Sequence, residues 1–330
     1  RDSFLAEWAS TGWIQPIDGM PGLEKYTSDL PQAVIEQVSY DGQMYGLPYY
    51  SGMNVFAYNA DHLEAAGIAA PPTTWDELLE QAQAVQDAGV TTAPIILQLQ
   101  QGQYVTTTLE IVAAGFGGTM FDADYEPTFV EEGSAMREAI DWIQRGLDAG
   151  LIDEASLSSG DHDVVRAMSA GTHTFTLLAD YNVKTLNDPE QSQTAGDIEA
   201  ALIPGDGTVE SGTTSYVRLY AITGDADDPQ QAWQLVEFLG GADATGEYFV
   251  PKRWALDFGL GFAYTSMYQD QDIRAALQEW IDPDVLAAQS AFAVSREYRF
   301  VPFFADWETD AWADLQNLMT GSGDADRIYD

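Results

Sequence analysis

The segment Pro71–Leu78, which reads Pro-Pro-Thr-Thr-Trp-Asp-Glu-Leu, carries the clearest local signal in the chain. Its proline pair blocks a helix upstream, and Thr74 followed by acids in the next positions predicts a helix N-cap. The helix should end at Gly89, and the short apolar run Ile95–Leu97 then predicts a buried strand. A capped helix that leads directly into a buried strand is typical of an α/β fold.

The same alternation of helix and strand continues along the chain. Further helices are predicted over 61–66, 134–149, 164–170, 229–239 and 307–319, and strands over 174–178 and 216–222. In the helix over 229–239 we expect Ala232, Leu235, Val236 and Leu239 to face the core. No solenoid repeat and no Pro/Ser-rich linker occurs, and 330 residues suit two lobes joined by several crossovers.

The charge is the most unusual bulk property. There are 53 acidic and 13 basic residues, which gives a formal net charge of −40. A field of that sign repels phosphate backbones and anionic lipids, so we exclude binding to nucleic acid and to membrane surfaces. Because dispersed carboxylates are tolerated best where salt screens them, the composition predicts a halophilic or salt-tolerant source, with an ordinary acidic surface protein as the alternative. The sequence has no apolar run long enough to span a bilayer.

Signals for catalysis and metal binding are weak. The chain has no cysteine, its histidines His62, His162 and His173 lack ligand spacing, and no Gly-x-Ser-x-Gly motif is present. Asp122-Ala-Asp124 resembles the start of a calcium loop, but Pro127 and Gly133 occupy the positions that need glycine and glutamate. Neither glycine cluster has a nucleotide-binding spacing. We therefore predict no catalytic residue, no metal and no cofactor, although chance carboxylate pairs leave a glycoside hydrolase open.

Aromatic residues point more directly to a ligand. The chain has 9 Trp, 16 Tyr and 14 Phe, and several are expected in loops or at strand ends: Tyr49, Tyr50, Tyr104, Tyr181, Tyr216, Trp254 and Trp307. Sugar rings present apolar C–H faces bounded by hydroxyls, so a sugar binder combines flat aromatic faces with polar side chains. Ala179–Asn182, directly after an apolar strand, fits that combination.

Several motifs in order resemble one known family. Residues 41–50, DGQMYGLPYY, resemble its DGKxYGxP strand; 55–63 resemble xxYNKDLF, with Ala60 in place of lysine; and 66–78 are similar to AGxxxPPxTWDEL. Residues 117–122 and 146–152 resemble its central lobe, and 229–239 resemble PxxAWxxxxFL. The family is that of the family 1 extracellular solute-binding proteins of ABC importers, which includes maltose- and multiple-sugar-binding proteins.

The resemblance implies an α/β, two-lobed periplasmic-binding-protein fold of type II, with an inter-lobe hinge and a cleft that traps ligand. It places the first lobe at 1–50 plus 220–280 and the second at 53–216 plus 281–330. It also implies that Arg1 corresponds to a point some tens of residues into a member and that the last helix is cut at Asp330, so that the first lobe lacks part of its sheet.

The resemblance also implies ligand-binding positions. Carried over one at a time, they are Asp2, Tyr50, Ser51, Gln103, Tyr104, Asp180, Tyr181, Tyr216, Arg218, Trp254 and Trp307.

The implied function is capture of a carbohydrate and its delivery to ABC transporter permease subunits, without catalysis. We expect a monomer that works in the periplasm or outside the cell, tethered by a lipid anchor if one precedes Arg1. Alternatives are a different solute on the same fold, such as a glycerol phosphate, a polyamine or a peptide, a glycoside hydrolase, and a structural or adhesive surface protein. A phosphate ester would need several basic residues, and the candidates are Arg218, Lys252 and Arg253.

Overall fold

The computed structural model describes residues 5–294, 296–301 and 303–325. Its α-helices are α1 Leu5–Ser10, α2 Leu23–Thr27, α3 Gln32–Gln37, α4 Ala60–Ala65, α5 Trp75–Asp87, α6 Gln103–Gly115, α7 Ala135–Asp148, α8 Asp161–Ser169, α9 Asp180–Leu186, α10 Pro229–Gly240, α11 Phe249–Phe258, α12 Gln271–Leu277, α13 Pro283–Ser290 and α14 Phe304–Met319. Its strands are β1 Ile14–Gln15, β2 Ser39–Tyr40, β3 Gln43–Met44, β4 Gly46–Asn59, β5 Ile95–Ile96, β6 Phe175–Ala179, β7 Ile198–Ala201, β8 Thr213–Thr223 and β9 Ala293–Val294.

The chain forms two compact units. The first unit comprises Arg1–Met53, Ser215–Glu279 and Ser295–Ala305, and the second comprises Asn54–Thr214, Trp280–Val294 and Asp306–Asp330. Strand β4 begins in the first unit and ends in the second, and β8 begins in the second and ends in the first. The sequence predicts two lobes, 1–50 plus 220–280 and 53–216 plus 281–330, that move against each other. These limits and this motion stay a prediction.

In the first unit, β8 is antiparallel to both β1 and β4. Its register runs from Ser215 opposite Met53 to Ala221 opposite Gly46, and β1 continues the sheet on the other side of β8. Strands β2 and β3 form a hairpin whose two turn residues, Asp41 and Gly42, both have positive φ, 49° and 74°. An Asp-Gly pair with this backbone is a type I′ turn, which matches the twist of a two-residue hairpin.

In the second unit, β4 lies between the antiparallel strands β6 and β7, and β5 is parallel to β6. The start of β8 pairs in parallel with β9. Helices α5 and α7 bury Trp75 and Trp142, whose rings lie 4.9 Å apart, and Nε1 of Trp142 donates to the carbonyl oxygen of Trp75 at 2.8 Å. This pair of tryptophans anchors both helices in the core of the second unit.

Helix α5 begins as the sequence predicts. The hydroxyl of Thr74 accepts a hydrogen bond from the backbone N–H of Glu77 at 3.2 Å, and Glu77 accepts in return from the backbone N–H groups of Thr73 and Thr74. This reciprocal arrangement is a capping box. The bond from the backbone of Thr73 is the main reason that the pKa of the Glu77 carboxyl is lowered.

We expect Thr74→Ala to lower the free energy of unfolding by about 1 kcal/mol, because the N–H of Glu77 then loses its acceptor. Urea unfolding followed by circular dichroism measures this. Thr92→Ala is a matched control, since Thr92 is exposed and follows the same helix. Equal stabilities of the two variants would contradict the capping role of Thr74.

The other predicted elements are present, with one error of orientation. Helices α4, α7, α8, α10 and α14 and strands β5, β6 and β8 fall where expected, although α8 and α14 each begin three residues earlier than predicted. In α10 the predicted inward residue Leu235 is 58% exposed, whereas Trp233 and Val236 are buried. Trp233 sets this orientation, because its ring contacts Tyr26 and its Nε1 donates to the carbonyl of Pro21.

The buried side chain of His173, just before β6, contacts Asp153 in the segment that follows α7. Nε2 of His173 lies 2.9 Å from Oδ2 of Asp153, and Oδ1 of Asp153 accepts from the backbone N–H of Ala155 at 2.8 Å. Burial alone would raise the pKa of Asp153, but the hydrogen bonds from Ala155 and His173 outweigh burial and hold the pKa below its ordinary value.

This depressed pKa predicts a loss of stability in acid. An aspartate with a lower pKa in the folded state stabilises the fold above its unfolded pKa, about 3.9, and the contribution is lost as the pH falls through the folded value. The free energy of unfolding should therefore fall more steeply below about pH 4 in the unmodified protein than in Asp153→Asn. Urea titrations at a series of pH values measure both slopes, and equal slopes would contradict the expectation.

Within the described ranges, no helix combines the length and apolar character needed to cross a membrane.

Candidate functional site

A β-bulge in β4 gathers aromatic side chains on one face of the first unit's sheet. The β4–β8 register shifts between Pro48 and Tyr50, so Tyr49 is the extra residue. Neighbouring residues of a regular strand point to opposite faces, but at a bulge two successive side chains can share a face. The ring of Tyr49 lies 4.5 Å from that of Tyr220, and the ring of Tyr50 lies 5.7 Å from that of Tyr216. Because residues 216 and 220 occupy the same face of β8, both β4 tyrosines lie on that face.

Arg218 and Trp254 complete this set, which we call the strand-face group: Tyr49, Tyr50, Tyr216, Arg218, Tyr220 and Trp254. Arg218 pairs with Tyr50 and lies between Tyr216 and Tyr220 on the same face of β8. The ring of Trp254, from α11, lies 5.7 Å from that of Tyr49. Burial raises the pKa of Tyr220, the neighbouring Tyr49 adds to the rise, and a contact with Trp254 opposes it.

Gly52 leaves room for the ring of Tyr216 because it has no side chain. A Cβ at position 52 would lie 2.4 Å from the ring and the hydroxyl of Tyr216. The ring therefore lies directly on the strand backbone, where its hydroxyl is 3.2 Å from that of Tyr50. The strand-face group thus offers flat aromatic faces together with hydroxyl and guanidinium donors.

In the second unit, polar side chains follow two parallel strands. Strands β5 and β6 are parallel, so their carboxyl ends lie at one edge of the sheet, where open α/β sheets bind ligands. The loop 97–102 follows β5, and Asp180 follows β6 as the first residue of α9. Gln316 of α14 fixes the loop, because its Nε2 donates to the carbonyl of Leu99 at 2.5 Å and to that of Leu157 at 2.8 Å.

Six residues lie at this edge, and we call them the strand-end group: Tyr104, Gly160, Asp161, Asp180, Tyr181 and Asn182. A Cβ at Gly160 would lie 2.9 Å from Cε2 of Tyr104, so the tyrosine ring lies against the glycine. Nδ2 of Asn182 donates to Oδ1 of Asp161 at 2.6 Å. Burial raises the pKa of Asp161, against the lowering effects of the Asn182 hydrogen bond and of His162.

Two aromatic-bearing surfaces on a mixed α/β scaffold, each with polar groups beside the rings, suit the capture of a small polar solute. The sequence profile described as bacterial extracellular solute-binding protein matches residues 2–246. The chain belongs to this family. The family expected from the motifs is confirmed.

Similar proteins support the fold. A binding protein of Brucella abortus (strain 2308) is 22% identical over 330 residues, which cover 98% of this chain and 74% of the relative. Maltose-bound T. maritima MalE3 matches 99% of this chain and 80% of its own, with a TM-score of 0.79 and 17% identity. An ABC transporter solute-binding protein of Agrobacterium vitis S4 with bound D-mannitol gives the same coverages, with a TM-score of 0.75 and 20% identity. These matches confirm the predicted α/β fold of the periplasmic binding proteins.

The structure separates some predicted site residues from these groups. Ser51 is buried and pairs with Val217, so it lies on the opposite face of the sheet from Tyr50. The Trp307 ring packs against Phe121 and Phe129 of the second unit, with centroid distances of 4.8 and 6.2 Å. Gln103 is exposed at the start of α6. Asp2 lies outside the described residues.

The expectation that the aromatics lie in loops or at strand ends is wrong for the predicted positions. Tyr50 lies within β4 and Tyr216 within β8. The other four lie in the first two turns of helices: Tyr104, Tyr181, Trp254 and Trp307. Trp254 follows Pro251 inside α11 rather than in a loop. Proline is tolerated there because the first turn of a helix leaves its N–H groups without helical partners.

Sequence reasoning did not name Tyr220 as a candidate site residue, and it named Tyr49 only among the aromatics expected near a ligand. It also did not pair Asp161 with Asn182. The alternation Tyr216-x-Arg218-x-Tyr220 on one strand could have indicated Tyr220. The carboxylate of Asp122, predicted not to bind calcium, accepts from the backbone N–H groups of Asp124 and Glu126 in a turn.

Proposed function

We propose that the chain is the solute-binding component of an ABC importer and that its solute is a neutral sugar or polyol, which it releases unaltered. The observation that carries the proposal is the strand-face group, which brings four tyrosines, a tryptophan and a single arginine together at one face of the sheet. Stacked aromatic faces suit the C–H surface of a sugar, and the adjacent hydroxyl and guanidinium groups suit its hydroxyls.

The composition of the strand-face group favours a neutral solute over the charged alternatives. A phosphate ester would be bound best by several cations, and the strand-face group has one, Arg218. A polyamine has no hydroxyl to accept the bonds that Arg218 and the tyrosines can donate. The maltose and D-mannitol bound by the two similar structures are of the proposed class.

The solute-loaded protein would dock on permease subunits of the transporter, as a monomer, on the outer side of the cytoplasmic membrane. It would act without catalysis and without a cofactor. The net charge of −40 supports a salt-rich working environment.

Isothermal titration calorimetry in molar salt tests the proposed solute class. Maltose and D-mannitol represent neutral polyhydroxy compounds, sn-glycerol 3-phosphate a phosphate ester and spermidine a polyamine. We expect saturable binding of at least one neutral compound and none of the charged ones. Binding of only the phosphate ester or the polyamine would refute the solute class, and release of reducing sugar from oligosaccharides would refute the non-enzymatic function.

A further inference from the structure

Asp161 is a carboxylate whose burial is not offset by an ion pair with any residue that the structure describes. It is half-buried at the start of α8, and Asn182 is the one hydrogen-bond donor that contacts it among the described residues. By contrast, Asp163 of the same helix pairs with Arg166 and accepts from the backbone N–H of Gly160. Partial burial of a carboxylate without a cation costs free energy, and a carboxylate perturbed in this way is a candidate for a functional residue.

The single bond to Asn182 orients the carboxylate and uses one of its two oxygens. Asn182 is 5% exposed and occupies the third position of α9, directly after Asp180 and Tyr181. Its Nδ2 holds Oδ1 of Asp161, so Oδ2 remains as an acceptor. A carboxylate oriented in this way accepts a hydrogen bond without first having to be ordered.

The surroundings of Asp161 are those of a ligand contact. The preceding residue, Gly160, lies against the ring of Tyr104, and a Cβ there would be 3.0 Å from the amide oxygen of Gln100. An aromatic ring, an amide oxygen and a carboxylate therefore meet at the carboxyl edge of β5 and β6. This combination offers a ring face and acceptors to a molecule that carries hydroxyl donors.

We infer that Asp161, oriented by Asn182, accepts a hydrogen bond from a hydroxyl of the bound sugar or polyol and disfavours anionic solutes. The inference rests on the proposed function, because it names a further contact residue for the same class of solute. Asp161 is the contact residue, and Asn182 is a positioning residue that acts through it. The charge of Asp161 would repel a phosphate or carboxylate at this place.

The test combines affinity with stability in Asp161→Asn, which keeps the shape of the side chain. We expect the affinity for maltose or D-mannitol, whichever the unmodified protein binds more tightly, to fall about tenfold to a hundredfold, as for loss of a hydrogen bond to a charged group. The melting temperature without solute should stay unchanged or rise, because a desolvated carboxylate is removed. A purely structural role predicts the opposite pattern, with a lower melting temperature and unchanged affinity, and would overturn the inference.

Two further variants complete the design. Asn182→Ala should weaken binding severalfold, and in the Asp161→Asn background it should add little, because both changes remove the same contact. Asp148→Asn removes one charge from an exposed position of the same unit and should leave the affinity unchanged. Additive losses at 161 and 182 would overturn the positioning role.

Failure of the inference is distinguishable from failure of the proposed function. If the unmodified protein binds neither maltose nor D-mannitol, both are overturned together. If it binds one of them and Asp161→Asn binds it equally well, only the assignment of Asp161 is wrong.

Discussion

Replacing Trp75 by alanine should lower the free energy of unfolding by about 3 to 5 kcal/mol, the range for removal of a fully buried aromatic side chain. Trp75 is 1% exposed, and its ring contacts those of Trp142 and Phe116 at centroid distances of 4.9 and 6.1 Å. The cavity left by the indole cannot close easily, because Gly115, which lies against it, has no side chain to fill the space. A Cβ at Gly115 would be 2.6 Å from Nε1 of Trp75. Equilibrium unfolding in urea measures the loss.

Trp13→Ala is the matched control for Trp75→Ala. Trp13 is 63% exposed, so its removal should change the stability by no more than about 0.5 kcal/mol. If the two tryptophan variants are equally stable, the tryptophan pair does not hold α5 and α7 in the core of the second unit.

The second large effect is expected in the strand-face group. Tyr216→Ala should weaken binding of the sugar or polyol at least tenfold, because it removes an aromatic face and a hydroxyl from the group. Gly52→Ala should weaken binding as well, since a methyl group at this position would overlap the Tyr216 ring and displace it. Calorimetry measures both affinities.

The double variant makes this prediction specific to the ring. In the Tyr216→Ala background, Gly52→Ala should cause no further loss of affinity, because there is no ring left to displace. Phe249→Ala, at an exposed aromatic of the same unit, should leave binding within about twofold. A full additional loss from Gly52→Ala in the double variant would show that Gly52 acts other than through Tyr216.

Elements with strong local signals could be predicted from the sequence. Helix α5 was predictable because Thr74 and Glu77 stand at the spacing of a capping box, and the amphipathic α7 begins after its cap, Ser134. The inward face of α10 could not be read from its apolar residues alone. Trp233 turns that helix through a hydrogen bond to Pro21, which is 212 residues away in sequence.

The candidate site was predictable only in part, because it also depends on contacts between residues that are far apart in the sequence. The motifs placed Tyr50, Tyr216 and Arg218 near ligand, and the structure puts these three on one face. Tyr49 joins them through a β-bulge beside Pro48; a proline within a strand is compatible with an edge or a bulge, but it does not indicate which residue is the extra one. The pairing of Asp161 with Asn182 depends on how α8 and α9 pack, and the sequence separates the two residues by 21 positions.

The most direct test of the central claim follows one solute through binding and release. The purified protein is equilibrated in molar salt with ¹³C-labelled maltose or D-mannitol, separated from free solute, denatured, and the released solute is identified by NMR. We predict that one of the two is retained at close to one molecule per chain and recovered chemically unchanged. Retention of neither compound, or recovery of a cleaved or modified product, would contradict the account.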